Sequence, residues 1–158
     1  MNHRYSSITR RAIPLFVLFL GLAACAQDRN ATYDKNLADS LGSDQYGMKA
    51  YVLAILKTGS FAADKPTTDS LFRGHMDNIN RLVLTGKLVV AGPLEKNDKR
   101  YRGIFILNVT SIEEAKVLLD TDPAIKAKLL DTELFGWYGS AALPLYLPYH
   151  QKLEKTKF

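Results

Sequence analysis

The order of apolar runs, caps and turns predicts an α+β fold of the ferredoxin-like kind, β-α-β-β-α-β, over residues 47–143. Two observations carry this. Apolar runs of strand length alternate with segments that have helical caps and helical spacing. The whole chain, 158 residues with 47% hydrophobic and 23% charged side chains, matches the balance of one globular domain with a real core. No period of 20–50 residues repeats, so a solenoid is set aside.

Lys49–Lys57 (KAYVLAILK) is the first strand, closed by Thr58-Gly59. Pro66-Thr67-Thr68-Asp69 opens a helix in which Thr68 or Asp69 can accept the unpaired first-turn N–H groups. It runs to about Thr85 and stops at Gly86. Lys87–Ala91 is the second strand, ended by Gly92-Pro93, and Tyr101–Val109 the third. Ser111 and Glu114 form a capping box that starts the second helix. Asp122-Pro123 begins a short helical turn, and Leu134–Ser140 is the last strand. In the first strand Tyr51, Leu53 and Ile55 share one face, while Val52, Ala54 and Leu56 share the other. Two helices cover only one face of four strands, so the second apolar face calls for a partner sheet, and a homodimer is expected.

Residues 1–24 differ from the rest. Arg4, Arg10 and Arg11 precede the apolar run Ile13–Ala24, which is shorter than the ~20 residues a spanning helix needs. This is the layout of a signal peptide. Leu22-Ala23-Ala24-Cys25 resembles a bacterial lipobox, in which the cysteine receives a diacylglyceryl group; the alternative is an ordinary cut after Ala26. The expected location is the bacterial envelope, lipid-anchored through Cys25, on the outer membrane facing the periplasm; simple secretion to the periplasm is the alternative. Residues 25–46 read as a flexible polar tether, with a short helix around Tyr33–Leu41 as the alternative, and residues 144–158 as a C-terminal tail.

The charge, +5 overall, has a local origin. Of 21 Lys and Arg, three leave with the signal peptide, so the mature chain keeps 18 against 16 acids. The nucleic-acid reading of a pI near 9.3 goes with them. The loop holding Lys96, Lys99, Arg100 and Arg102 also contains Glu95 and Asp98 and reads as a solvated hairpin. A single cysteine excludes a disulfide scaffold, and three histidines with one cysteine give too few ligands for a zinc site, so neither metal nor cofactor is expected.

Two residues stand out. At 100° per residue, Phe72, Met76, Ile79 and Val83 form an apolar stripe, and His75 falls inside its arc. A histidine there is either a structural residue bonded to a backbone carbonyl or a reactive one. Asp122 before Pro123 is either an N-cap or a catalytic residue. Asp77 and Asn78, at i+2 and i+3, do not both share the face of His75.

The series of His75 in the first helix, Gly86–Leu94 (GKLVVAGPL), Arg102–Phe105, Glu113–Ala115, Asp122-Pro123 and Trp137–Leu143 resembles the YCII-related (YciI-like) family over about residues 48–143. The resemblance implies a dimeric α+β-barrel fold with His75 and Asp122 as an active pair. Asp122 would hold and polarise the imidazole, and His75 would move a proton in an elimination or isomerisation on a small ring compound. A non-catalytic module that binds or senses a small ligand, or an interaction protein at the envelope, is the alternative. The leader and the tail depart from the family's compact pattern.

Overall fold

The computed structural model describes residues 30–156. The expected signal peptide and the expected lipidation site, Cys25, lie outside that range. Two units separate, up to Tyr33 and from Asp34 onward. Of the first, only a turn is described, with the Tyr33 N–H donating to the Asn30 carbonyl at 3.1 Å.

The second unit begins with a helix, α1 (Lys35–Leu41), inside the segment expected to be a flexible tether; there the alternative, a short helix, is what forms. No residue of α1 is buried, so the sequence carries no apolar stripe to betray it. Its ends define it instead. The Asp34 carboxylate accepts the Leu37 N–H at 3.0 Å, and Gly42 takes the left-handed conformation that ends a helix, at φ 67°. The Lys49 ammonium donates to the Leu41 carbonyl and ties α1 to the first strand.

The remaining order is β1 (Met48–Thr58), α2 (Lys65–Leu84), β2 (Leu88–Pro93), β3 (Tyr101–Leu107), α3 (Ile112–Leu119), α4 (Pro123–Lys126) and β4 (Leu130–Ser140). The sheet is antiparallel in the order β2-β3-β1-β4, the expected ferredoxin-like α+β arrangement. Both crossovers carry their helices to one face. There Val52, Ala54, Leu56, Phe105 and Leu107 from the strands meet Leu82 of α2, Ala115 and Leu119 of α3, and Ala124 and Ile125 of α4. Burial of each large aliphatic side chain contributes about 1.5–3 kcal/mol, so this layer dominates the stability.

Several boundaries moved for local reasons. Helix α2 starts three residues before the expected cap: Asp64 accepts the Thr67 N–H at 2.9 Å, and Pro66 sits in the first turn, where a missing N–H costs nothing. The capping box is half made. Ser111 accepts from the Glu114 N–H, but the Glu114 carboxylate turns to Lys87 at 3.0 Å. Strand β4 begins four residues earlier than expected, because Thr132 and Glu133 pair with Leu56 and Ile55 despite their polarity. The tail is also structured. A 3₁₀ turn at Leu143–Tyr146 leads into α5 (Leu147–Leu153), and the Tyr146 hydroxyl donates to the Val89 carbonyl on β2. The chain thus crosses from β4 at one edge of the sheet to β2 at the other.

Neither crossover places a helix on the second face of the sheet. Cross-strand register places Leu53 beside Ile106 and Phe135, Ile55 beside Ile104, Tyr51 beside Trp137, and Val90 beside Ile106. Phe135 is exposed, and Leu53, Ile55, Val90, Ile104 and Ile106 are half-buried. Toward one end this apolar surface gives way to a polar group, in which Glu133 accepts from Lys57 at 2.9 Å and from the Tyr101 hydroxyl at 3.2 Å. The Lys57 hydrogen bond holds Glu133 below the ordinary carboxylate range, and the same bond holds Lys57 above the usual lysine value.

Candidate active site

The site begins with a close approach of backbones. A Cβ on Gly74 of α2 would lie 2.8 Å from Cγ of Pro123, so only glycine lets α2 sit this near to α4. The next residue along α2, His75, thereby reaches Asp122, the residue before Pro123. His75 Nδ1 and Asp122 Oδ2 are 2.6 Å apart. The two residues singled out in the sequence, 47 positions apart, are brought together.

Asp122 is the N-cap that the sequence allowed, and it meets His75 as well. Its Oδ1 caps α4, accepting the Ala124 N–H at 2.9 Å and the Ile125 N–H at 3.4 Å, while Oδ2 faces the imidazole. The side chain is wholly removed from water. A buried carboxylate needs such partners, since its transfer from water without them is prohibitive. Its acceptor-only oxygens place the proton of the contact on His75 Nδ1. In the neutral ring, Nε2 then carries a free lone pair, and it has no partner among the described residues.

His75 itself is 7% exposed. Phe105 of β3 stacks on its ring, with centroids 5.8 Å apart and planes 18° from parallel, and Phe72 meets it edge-on at 6.0 Å. These two aromatic walls fix the ring plane, and the 2.6 Å contact fixes its rotation within that plane. The structural alternative for His75, a bond to a backbone carbonyl, is not what the chain adopts.

One turn further along α2 the structure separates the two neighbours that the sequence left open. Asp77 is exposed, and Asn78 is buried. Asn78 Oδ1 accepts from the Arg81 guanidinium at 2.7 Å and from the Thr121 hydroxyl at 2.9 Å, joining α2 to the residue preceding Asp122. The Arg81 guanidinium donates only, which fixes the amide's orientation and leaves Nδ2 as a buried donor with no partner among the described residues. The i+3 offset from His75 signalled Asn78 in the sequence; Phe105, Arg81 and Thr121 had no local signal.

Among the described residues, two of the surface depressions are lined by residues other than His75 and Asp122. One, of about 490 Å³, lies between α1 and the ends of β1 and β3, beside the Tyr138 hydroxyl and the Asp44 carboxylate that it donates to. The other, of about 450 Å³, lies at the opposite end of β1. Among the described residues no group of three His, Cys, Asp or Glu side chains could hold a metal ion.

No family model matches the sequence, and no curated protein matches it. Among solved structures, the chain is similar to 5-chloro-2-hydroxyhydroquinone dehydrochlorinase (TftG) from Burkholderia phenoliruptrix AC1100, in complex with 2,5-dihydroxybenzoquinone. The identity is 22% over 54% of this chain and 92% of that one, with a TM-score of 0.39. A likeness of that size leaves the chemistry of the site to its own geometry.

The tautomer is testable. With Asp122→Asn, the amide can donate to Nδ1 and drive the proton to Nε2. The ¹⁵N shifts of the His75 ring in the neutral form should therefore exchange their protonated and bare signatures. An unchanged Nδ1–H form in the variant would contradict the assignment.

Proposed function

We propose that this chain is a lipid-anchored envelope protein with a YciI-like domain, in which His75, held by Asp122, transfers a proton on a small ring compound. The observation that carries the reading is the 2.6 Å contact between a fully buried carboxylate and an imidazole whose other nitrogen is unengaged. Pinned at Nδ1, the ring exchanges protons only at Nε2. As a base, Nε2 takes a proton from a hydroxyl or an activated C–H. Return of that proton to another atom is an isomerisation, and loss of a leaving group from the resulting anion is an elimination. The flat, apolar surroundings of the imidazole, Phe105 and Phe72, suit a planar ligand that extends the stack.

His75→Ala should remove turnover of hydroxylated aromatic compounds by about 10²–10⁴-fold, as loss of a general base does. Unchanged turnover would end the catalytic reading. A second reading, a non-catalytic binding module, is favoured by the near-complete burial of His75. It predicts a saturable thermal shift with the compound recovered intact, and loss of that shift in the variant.

A homodimer is part of the proposal. The uncovered sheet face, centred on Leu53, Ile106 and Phe135, presents the apolar surface that a second copy's sheet would bury. Phe135 is 47% exposed, so a charge there disturbs little in the single chain. Phe135→Lys should shift the protein from dimer to monomer in sedimentation; a monomeric parent would overturn the assignment.

Anchoring rests on Leu22–Cys25, which resembles a lipobox after a correctly built apolar run. Two or three acyl chains, each buried CH₂ contributing about 0.8 kcal/mol, hold a domain stably on a bilayer. Cys25→Ser should move the protein from the outer-membrane fraction of a diderm host into its soluble or uncleaved precursor fractions. Retention of a mature, outer-membrane-bound form would refute lipidation.

A further inference from the structure

The second depression lies where β1 ends, and its lining is polar residue by residue: Thr58, Gly59, Ser60, Arg100, Lys128 and Asp131. Two of these residues share an unusual backbone. Arg100, which leads into β3, has φ 60°, and Lys128, shortly before β4, has φ 61°; they are the non-glycine residues with positive φ among those described. That conformation is strained for a residue with a long side chain, whereas Gly and Asn adopt it freely.

The backbone explains the conformation but not the side chains. The strands that Arg100 and Lys128 lead into flank β1, and their carbonyls receive the loop that leaves it. Thr58 N–H donates to Arg100 O at 3.1 Å, and Phe61 N–H donates to Lys128 O at 3.0 Å. Between them the Gly59 N–H donates to Leu129 O at 2.9 Å, so close to the chain that a Cβ on Gly59 would fall 2.0 Å from the Lys128 carbonyl oxygen. Glycine at either strained position would serve these bonds at less cost. The chain instead places two cations there, and neither has a carboxylate within 4.0 Å among the described residues.

The other groups fit the same ligand. The Ser60 N–H, between the two tied amides, has no acceptor among the described residues, and Ser60 lines the depression, while the Thr58 hydroxyl donates to the Arg100 carbonyl at 3.5 Å. The one acid present, Asp131, is 3.8 Å from the Lys57 ammonium, which it shares with Glu133 at 2.9 Å, so its charge is offset only in part and opposes an anion. Two unpaired cations, one of them a planar guanidinium, together with hydroxyl and amide donors, select an oxyanion.

We infer that this depression is a small-oxyanion site, in which Arg100 and Lys128 bind a phosphate or carboxylate group against the Thr58–Ser60 loop. It shares no residue with the His75–Asp122 pair and stands or falls independently of it. The basic loop that reads as a solvated hairpin in the sequence thus contributes one residue, Arg100, to a site.

The test uses the purified full chain, with inorganic phosphate and benzoate as probes and chloride at matched ionic strength as control. Phosphate, benzoate or both should raise the melting temperature above chloride and shift the amide resonances of Thr58–Ser60. Which probe acts distinguishes a tetrahedral from a planar ligand. Arg100→Gly and Lys128→Gly should each weaken binding by about tenfold, the scale of one charge-assisted hydrogen bond. Both should nonetheless melt at or above the parent temperature, because the strain is released. Arg100→Asn and Lys128→Asn keep the left-handed backbone and should lose binding in the same way. Asp131→Asn should tighten it. A response equal to that of chloride, or phosphate and benzoate shifts that persist in the Arg100→Gly/Lys128→Gly double variant, would overturn the site.

Discussion

The buried carboxylate of Asp122 is the constraint from which the site follows. A charge removed from water must be met by donors on every side it presents, because the low dielectric that strengthens its contacts also makes an unmet one costly. Two backbone N–H groups of α4 take one oxygen, which fixes where that helix begins. The imidazole of His75 takes the other, which fixes how α2 lies on α4. Gly74 is the steric condition for that approach, since any Cβ there would meet the ring of Pro123. The ring proton, the rotamer of His75 and the free lone pair at Nε2 are consequences of one acid's need for partners.

The sheet poses the complementary problem. Alternation along β1 and β3 makes both faces apolar, but the two crossovers supply helices to only one. The tail deals with one end of the other face, running from β4 to β2 with Tyr146 bonded at Val89. Tyr51 and Val89 are buried outside the main core there, while Phe135 stays exposed. The fold of one chain therefore meets its own demand for burial unequally, and the surface left over is the one on which association is proposed.

Much of this was legible from residues alone where a local rule acts. Gly86 ends α2 because only a left-handed residue closes that turn without strain. Ser111 caps α3 for the same local reason that the sequence suggests, and Asp122 caps α4. Where competing local rules existed, the reading slipped. Asp64 displaced Thr68 and Asp69 as the cap of α2, since Pro66 is as well placed inside the first turn as before it. Helix α1 was only the second reading of its segment, because it is held by its two caps and a Lys35–Asp39 pair rather than by a buried stripe. In the candidate site, His75 and Asp122 could be named from periodicity, from the Asp-Pro pairing and from a family resemblance, but Phe105, Arg81 and Thr121 could not. Their roles depend on which strand and which loop arrive beside α2.

The sequence by itself determined the alternation of the elements, the two-faced strands, the stripe that turns His75 inward, and the concentration of positive charge in residues 1–24. Each depends on neighbours a few residues away, through side-chain periods and capping bonds that act before the chain folds. Only the tertiary structure decided that one oxygen of Asp122 caps a helix while the other holds His75. It also decided that Asn78 rather than Asp77 is buried beside the pair, and that Arg100 and Lys128 flank one loop. Those facts join residues that are tens of positions apart, and packing α2 and α4 on the sheet is what sets the distances between them.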